Sequence, residues 1–187
     1  GDREFLHQLR ADGVLKNLEG HRINLRSGAI GVPCSDGDQM YDTFIYHANI
    51  CRAQRQGPPR LHWPSLNGGI LLMAPDSPLS TNLPDGDVLL RHILAGSTMK
   101  QIRTIFAPVH FPCAAAYGHK LSAREVMRLA FAAKIRLRFA ALRHQREEGV
   151  HEPDVQVRVD PHVDWGNGKK RSYFIERQTW EAWDAAH

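Results

Sequence analysis

Two short runs hold the side chains best suited to chemistry. In Phe106-Ala-Pro-Val-His110-Phe-Pro-Cys113 an imidazole and a thiol stand three residues apart, and in Gly31-Val-Pro-Cys34-Ser-Asp36-Gly-Asp38 a thiol precedes a carboxylate by two. A ring nitrogen and a sulfur at the first spacing can converge on one ion from a short turn, which is half of a tetrahedral zinc site. A His-x-x-Cys pair is weak evidence by itself, because buried cysteine commonly packs as a small apolar residue. The second run adds weight, since each follows an apolar, strand-like segment, residues 29–33 in one case and 101–106 in the other. Ligands in open α/β sheets gather at the carboxyl ends of strands. Cys34, Asp36, His110 and Cys113 are therefore expected to meet on one edge of one sheet. A Cys34 to Cys113 disulfide is the competing reading.

Two thiolates and a neutral imidazole would give Zn2+ three protein ligands and leave a fourth position for water or a carboxylate. The thiolates cancel the formal charge of the ion. Such a zinc acidifies water less than one held by three histidines, so its surroundings must help.

Over roughly residues 28–135 the order and spacing of these features resemble the β-class carbonic anhydrases. That family's signature is Cys-x-Asp-x-Arg, then a βαβ unit, then His-x-x-Cys with small residues after it. The corresponding runs here are Cys34-Ser-Asp36-Gly-Asp38 and His110-Phe-Pro-Cys113-Ala-Ala-Ala, with the apolar residues 69–74 where the family has a strand and residues 88–94 where it has a helix. The resemblance implies an α/β fold, with a mainly parallel central sheet flanked by helices and a C-terminal antiparallel strand or hairpin. It also implies Zn2+ on Cys34, His110 and Cys113, and reversible hydration of carbon dioxide to bicarbonate by hydroxide generated at the metal. Asp36 would be catalytic, accepting a hydrogen bond from that hydroxide. An N-terminal helical arm would pack on a second subunit of a homodimer or dimer of dimers; packing onto its own sheet is the other reading.

Asp38 stands where the family has arginine. In the family that arginine holds the aspartate off the metal, whereas a second carboxylate nearby disfavours a free negative charge. Asp36 is therefore expected to be the fourth zinc ligand at rest, unless Arg52, Arg55 or Arg60 folds back as a substitute. A site closed in this way would be structural or slow. Pro108 and Pro112 replace frequent glycines of the family, stiffening the turn and removing backbone donors. The alternatives to a hydratase are thus a divergent zinc-binding homologue that is structural or binds an anion or partner, and a zinc hydrolase of a small carbon dioxide analogue.

Positioning these residues requires the rest of the chain. Residues 3–10 place Phe5, Leu6 and Leu9 on one helical face, and Val14, Leu15 and Leu18 resume the spacing as a continued or second short helix. Residues 39–55 read as a helix with Met40, Phe44, Ala48 and Cys51 on one face; His47 and Cys51 fall i,i+4 there, as a packed face or a metal pair. Residues 56–67, with three prolines, read as a loop over the site, with His62 either a proton carrier or simply exposed. Residues 68–74 read as a strand buried on both faces. A helix over 87–95 stops at Gly96. Residues 81–83 fall in an irregular connection spanning 75–86. Ser122-Ala-Arg-Glu125 is a capping box opening a long helix to about residue 148, with Val126, Leu129, Ala133, Leu137 and Ala140 inward. Residues 154–160 alternate like a half-exposed strand, residues 172–176 form its partner across a turn at Gly166-Asn-Gly168, and a short helix covers 179–186.

At 187 residues and 42% hydrophobic, the chain fits one domain with a full core: an arm over 1–27, an α/β core over 28–150, and a hairpin with a short helix over 151–187. The longest apolar run falls far below the roughly 20 residues of a membrane span, and no charged-then-apolar leader opens the sequence. Three cysteines cannot all pair within one chain, which favours reduced thiols in a cytoplasmic compartment. The net charge of +4 gathers in residues 120–146, as a solvated helix face or a polyanion surface; neither nucleic acid nor membrane is expected as a partner.

Overall fold

A computed structural model of the protein describes residues 1–80 and 84–187. Its sheet has six strands: β1 (Lys16–Asn17), β2 (Ala29–Gly31), β3 (Leu61–His62), β4 (Thr104–Phe111), β5 (Gln156–Asp164) and β6 (Lys170–Phe174), in the order β1-β6-β5-β4-β2-β3. The four strands β5, β4, β2 and β3 are mutually parallel, β6 runs antiparallel to β5, and β1 antiparallel to β6. The fold is thus α/β with a mainly parallel sheet and a C-terminal antiparallel hairpin, as the sequence implies. Among the described residues six α-helices flank it: α1 (Asp2–Ala11), α2 (Gly37–Arg55), α3 (Asp85–Lys100), α4 (Ala114–Gly118), α5 (Ala123–Glu147) and α6 (Arg177–Ala186).

All eight residues of β4 are buried, and their alternation separates two layers. Ile105, Ala107 and Val109 join the larger core with Val157 and Val159 of β5, Leu6 and Leu9 of α1, Ala130 and Leu137 of α5, and Trp180 of α6. Phe106 points the other way, into a smaller cluster with Ile23, Leu25 and Cys51 of α2. The helix α1 therefore packs on its own body, where its Asp2 carboxylate also accepts the Ala123 N–H at the start of α5 (2.9 Å). Each fully buried leucine of this kind contributes about 1.5–3 kcal/mol. The capping box of α5 is present, with Ser122 Oγ accepting the Glu125 N–H and Glu125 Oε2 accepting the Ser122 N–H.

The connectivity creates a switch point. From β2 the chain passes through α2 to β3 on the outer side of β2, returns through α3, and enters β4 on the inner side. The helices after β2 and β4 consequently cover opposite faces, and a crevice opens between the carboxyl ends of those two strands.

Four expectations change. Residues 69–73 form a fully buried 3-10 helix rather than a strand; a short apolar run has no period of its own, and here Gly68 (φ 91°) and Gly69 (φ 53°) turn the backbone out of the extended region. Residues 14–18 do not continue α1, because Gly13 (φ 71°) ends it and Lys16–Asn17 pair with β6. Gly96 does not stop α3, which runs on to Lys100; it is the place where the His62 ring lies against the helix, so close that a Cβ would come within 2.4 Å of it. Finally, β5 is buried on both faces rather than half-exposed; on its polar side His47 of α2 lies over Asp160 (3.5 Å) and Phe174 of β6 over Arg158.

Candidate metal centre

The crevice between β2 and β4 is where Cys34, His110 and Cys113 converge. One ligand atom of each lies within 4.8 Å of the other two, and the three residues are 8, 5 and 7% exposed. Zinc bonds of about 2.0–2.3 Å at tetrahedral angles separate donor atoms by about 3.4–3.8 Å, so small adjustments bring these atoms onto one ion.

Each donor is positioned by a different device. Cys34 lies just past β2 and is bridged in parallel to Leu66, and the Gly68 N–H donates to its sulfur (3.2 Å). Gly69 brings the 3-10 helix against the same backbone; a Cβ there would sit 2.6 Å from the Cys34 nitrogen. Cys113 is the residue before α4, and the amides of Ala115 and Ala116 face its sulfur. His110 belongs to β4 itself rather than to the turn, so a fully buried strand fixes its ring. Its Nδ1 is 2.8 Å from the Pro112 carbonyl, which can only accept. The proton is therefore on Nδ1, and Nε2 carries the lone pair; it is buried with no hydrogen-bond partner. Metal-bound histidines commonly make this backbone contact with the other ring nitrogen.

The two sulfurs hold one proton between them. A hydrogen bond from the Cys113 thiol, aided by the Gly68 and Asp36 amides, pushes Cys34 down to about 4 against the opposing effect of burial. Cys113 is pushed up, because its proton makes that hydrogen bond and because it is buried. All three cysteines are free, so no Cys34 to Cys113 disulfide forms. An orphaned imidazole lone pair beside a thiolate and a thiol is a donor set that fits a borderline-soft divalent ion.

Asp36 lies beside this group rather than within it. Its Oδ1 accepts the Asp38 N–H (3.1 Å) as the cap of α2, and its Oδ2 is 4.0 Å from His110 Nδ1, the nitrogen that faces Pro112. Among the described residues no arginine pairs with it: Arg55 donates to the Arg26 carbonyl, and the Arg60 amide to Cys51 Sγ. A cation reaches this loop from β6, where Lys170 Nζ donates to the Asp38 carbonyl (2.8 Å). His47 and Cys51 share no metal position, since His47 stacks on Phe106 (3.5 Å) and hydrogen-bonds within its helix while Cys51 packs under Arg60. His62, with Nε2 near the His92 carbonyl, belongs to the α3 side and lines no part of the group.

One neighbour escaped the sequence reading. His162 on β5 is the register partner of His110, is 3% exposed, and has Nδ1 against Ser172 Oγ (2.9 Å) and Nε2 without a partner. Burial pushes its pKa down. The alternation of Arg158, Asp160 and His162 was the available signal, but polar residues at every second position ordinarily mark a face in water.

No family model and no curated protein matches this sequence. Among solved structures, the chain is similar to a β-carbonic anhydrase, isoform I, of the protozoan Trichomonas vaginalis, with 13% identity over 92% of this chain and 94% of that one and a TM-score of 0.35. A likeness that loose carries no weight for either fold or activity.

Proposed function

We propose that the protein is a zinc-dependent carbonic anhydrase of the β type, catalysing the reversible hydration of carbon dioxide to bicarbonate. The observation that carries this reading is the meeting of Cys34 Sγ, Cys113 Sγ and the unpartnered His110 Nε2 at the switch point of the sheet. A bound zinc would supply a Lewis acid that generates a hydroxide nucleophile near neutral pH.

The residues have separate tasks. Cys34 and Cys113 neutralise the ion, the Gly68 amide and the start of α4 keep their sulfurs in place, and Pro112 fixes the His110 tautomer. Asp36 Oδ2 is free to take either of two roles, as fourth ligand at rest or as the acceptor that orients the proton of the attacking group. Its Oδ1 is tied to the start of α2, and a cap of this kind is worth about 1 kcal/mol, which opposes full withdrawal toward the metal. Absence of an arginine beside Asp36 among the described residues favours a second reading, a zinc protein without fast hydration. The free thiols suit the cytoplasm, and a homodimer built from one folding unit over residues 1–187 completes the reading. No helix among the described residues is long and apolar enough to cross a membrane.

Stopped-flow measurement of proton release from carbon dioxide by the zinc-loaded protein separates the two readings. Rates above background, lost in Asp36→Asn, are expected; background rates would remove the hydratase and leave the zinc protein. Cys113→Ser should bring zinc content well below one per chain, and full retention would sink both.

A further inference from the structure

The second feature lies at the other end of β5. The strand β6 pairs with β5 only from His162↔Ser172 to Asp164↔Lys170, and its Tyr173 and Phe174 turn away to pair with β1. A cleft of about 760 Å³ opens where the two strands separate, closed by α5 on one side and by the start of α6 on the other. Cavities of roughly 300–1,000 Å³ are the usual size for small-molecule sites.

Its polar lining is unbalanced. Lys134, Arg138, Arg158 and Arg177 face it, against Asp154 and Glu176. Four other arginines of α5 are paired: Arg124 and Arg128 with Asp184 (2.6 and 2.8 Å), Arg136 with Asp87 (2.5 Å) and Arg143 with Glu147 (3.6 Å). Among the described residues Lys134 and Arg138 make no ion pair. Glu176 is drawn away toward Lys16 (3.9 Å). Arg158 is 6% exposed; one end of its guanidinium meets Asp160 (3.2 Å), its face lies under Phe174 (5.2 Å), and its Nε is buried without a partner. Burial, with the nearby charges of Arg177, Arg138 and Arg158 and against that of Asp160, pushes the Lys134 pKa down. The helix α6 begins here without a side-chain cap, adding the positive end of its dipole.

The remaining lining is apolar. Phe139 is 77% exposed and Ile135 39%, both on α5, opposite Val155, Val157 and Ile175. A bare inorganic anion would leave that wall in water, and an uncharged apolar molecule would bury the cations without a counter-charge. We propose that this cleft binds an amphipathic organic anion, a carboxylate or phosphate carried on an aromatic or alkyl body, with Arg158, Lys134 and Arg138 on the charge and Phe139 and Ile135 on the body. The proposal is independent of the metal centre.

Isothermal titration of the zinc-loaded protein with phenyl phosphate and with benzoate tests it, inorganic phosphate being the control. One aryl anion should bind per chain, with phosphate alone about tenfold weaker, and Arg138→Gln and Lys134→Met should each weaken binding by about tenfold. Arg138 is exposed, so its variant folds irrespective of the outcome for Lys134. Amide shifts in a two-dimensional NMR spectrum should fall on residues 134–139, 154–158 and 174–178. Whichever aryl anion binds more tightly identifies the head group as phosphate or carboxylate. No saturable binding of either into the millimolar range would overturn the proposal, as would binding indifferent to both substitutions or inorganic phosphate binding as tightly as phenyl phosphate.

Discussion

Cys34, Cys113 and His110 are donors of different readiness, and the difference is measurable. Cys34 is held as thiolate above about pH 4, Cys113 keeps its proton, and His110 already presents a bare Nε2. Metal binding must displace the protons its ligands still carry. Zinc uptake by the metal-free protein at pH 7 should therefore release about one proton per ion, read with an indicator dye in weak buffer; release of two would mean that both sulfurs begin as thiols. His162 makes a separate contribution to pH dependence. Burial holds its pKa below the ordinary value of about 6.5, so under that pH the unfolded chain takes up a proton that the folded chain refuses. Stability from this group is present above about pH 6.5 and is lost as the pH falls. The urea midpoint should drop between about pH 6.5 and 5, less steeply in His162→Asn; identical slopes would show that the imidazole is free to titrate in the folded state.

Among the elements, the 3-10 helix over Gly69–Met73 matters most for the site, because Gly69 lies against the backbone of Pro33 and Cys34. Gly69→Ala places a methyl 2.6 Å from backbone atoms of Pro33 and Cys34 at a φ of +53°, so the helix must withdraw and take the Gly68 N–H from the sulfur. Loss of an outer hydrogen bond of this kind typically costs about 10–100-fold in metal affinity. Competition with a chromophoric chelator should show a weakening in that range, and an unchanged affinity would assign Gly68 no part in holding the thiolate. The sequence showed an apolar run here without its shape. Ile, Leu and Met in a five-residue stretch fit a buried strand and a buried turn equally, and the deciding factor was backbone room beside Cys34.

At the scale of the molecule, an ion held by Cys34, His110 and Cys113 would join the ends of β2 (Gly31) and β4 (Phe111), which are about eighty residues apart along the chain. Binding to the folded state alone stabilises it by about 4 kcal/mol when free zinc stands about a thousandfold above its Kd. In a chain of this length that is roughly 10 °C in Tm. Removing the ion with a strong chelator should lower Tm by about that amount, and restoring zinc should recover it; a Tm that does not move would mean that the two strand ends hold together without the ion. At the same ends α2 and α5, on opposite faces, leave a crevice between neighbouring parallel strands, which is why the donors collect there.

By itself the sequence determined the donor types, their spacing, their place after apolar segments, the capping box of α5 and the antiparallel end of the sheet. Each of these depends on neighbours within a few residues, and such local preferences are written in order along the chain. Tertiary structure decided which nitrogen of His110 is free, that Asp36 caps a helix beside the group, that β5 hides Asp160 and His162 on the side of α2, and that β6 leaves β5 to open a cationic cleft beside Arg158. Those outcomes depend on what arrives from distant parts of the chain to cover a face or donate a hydrogen bond, and no short-range pattern encodes that arrival.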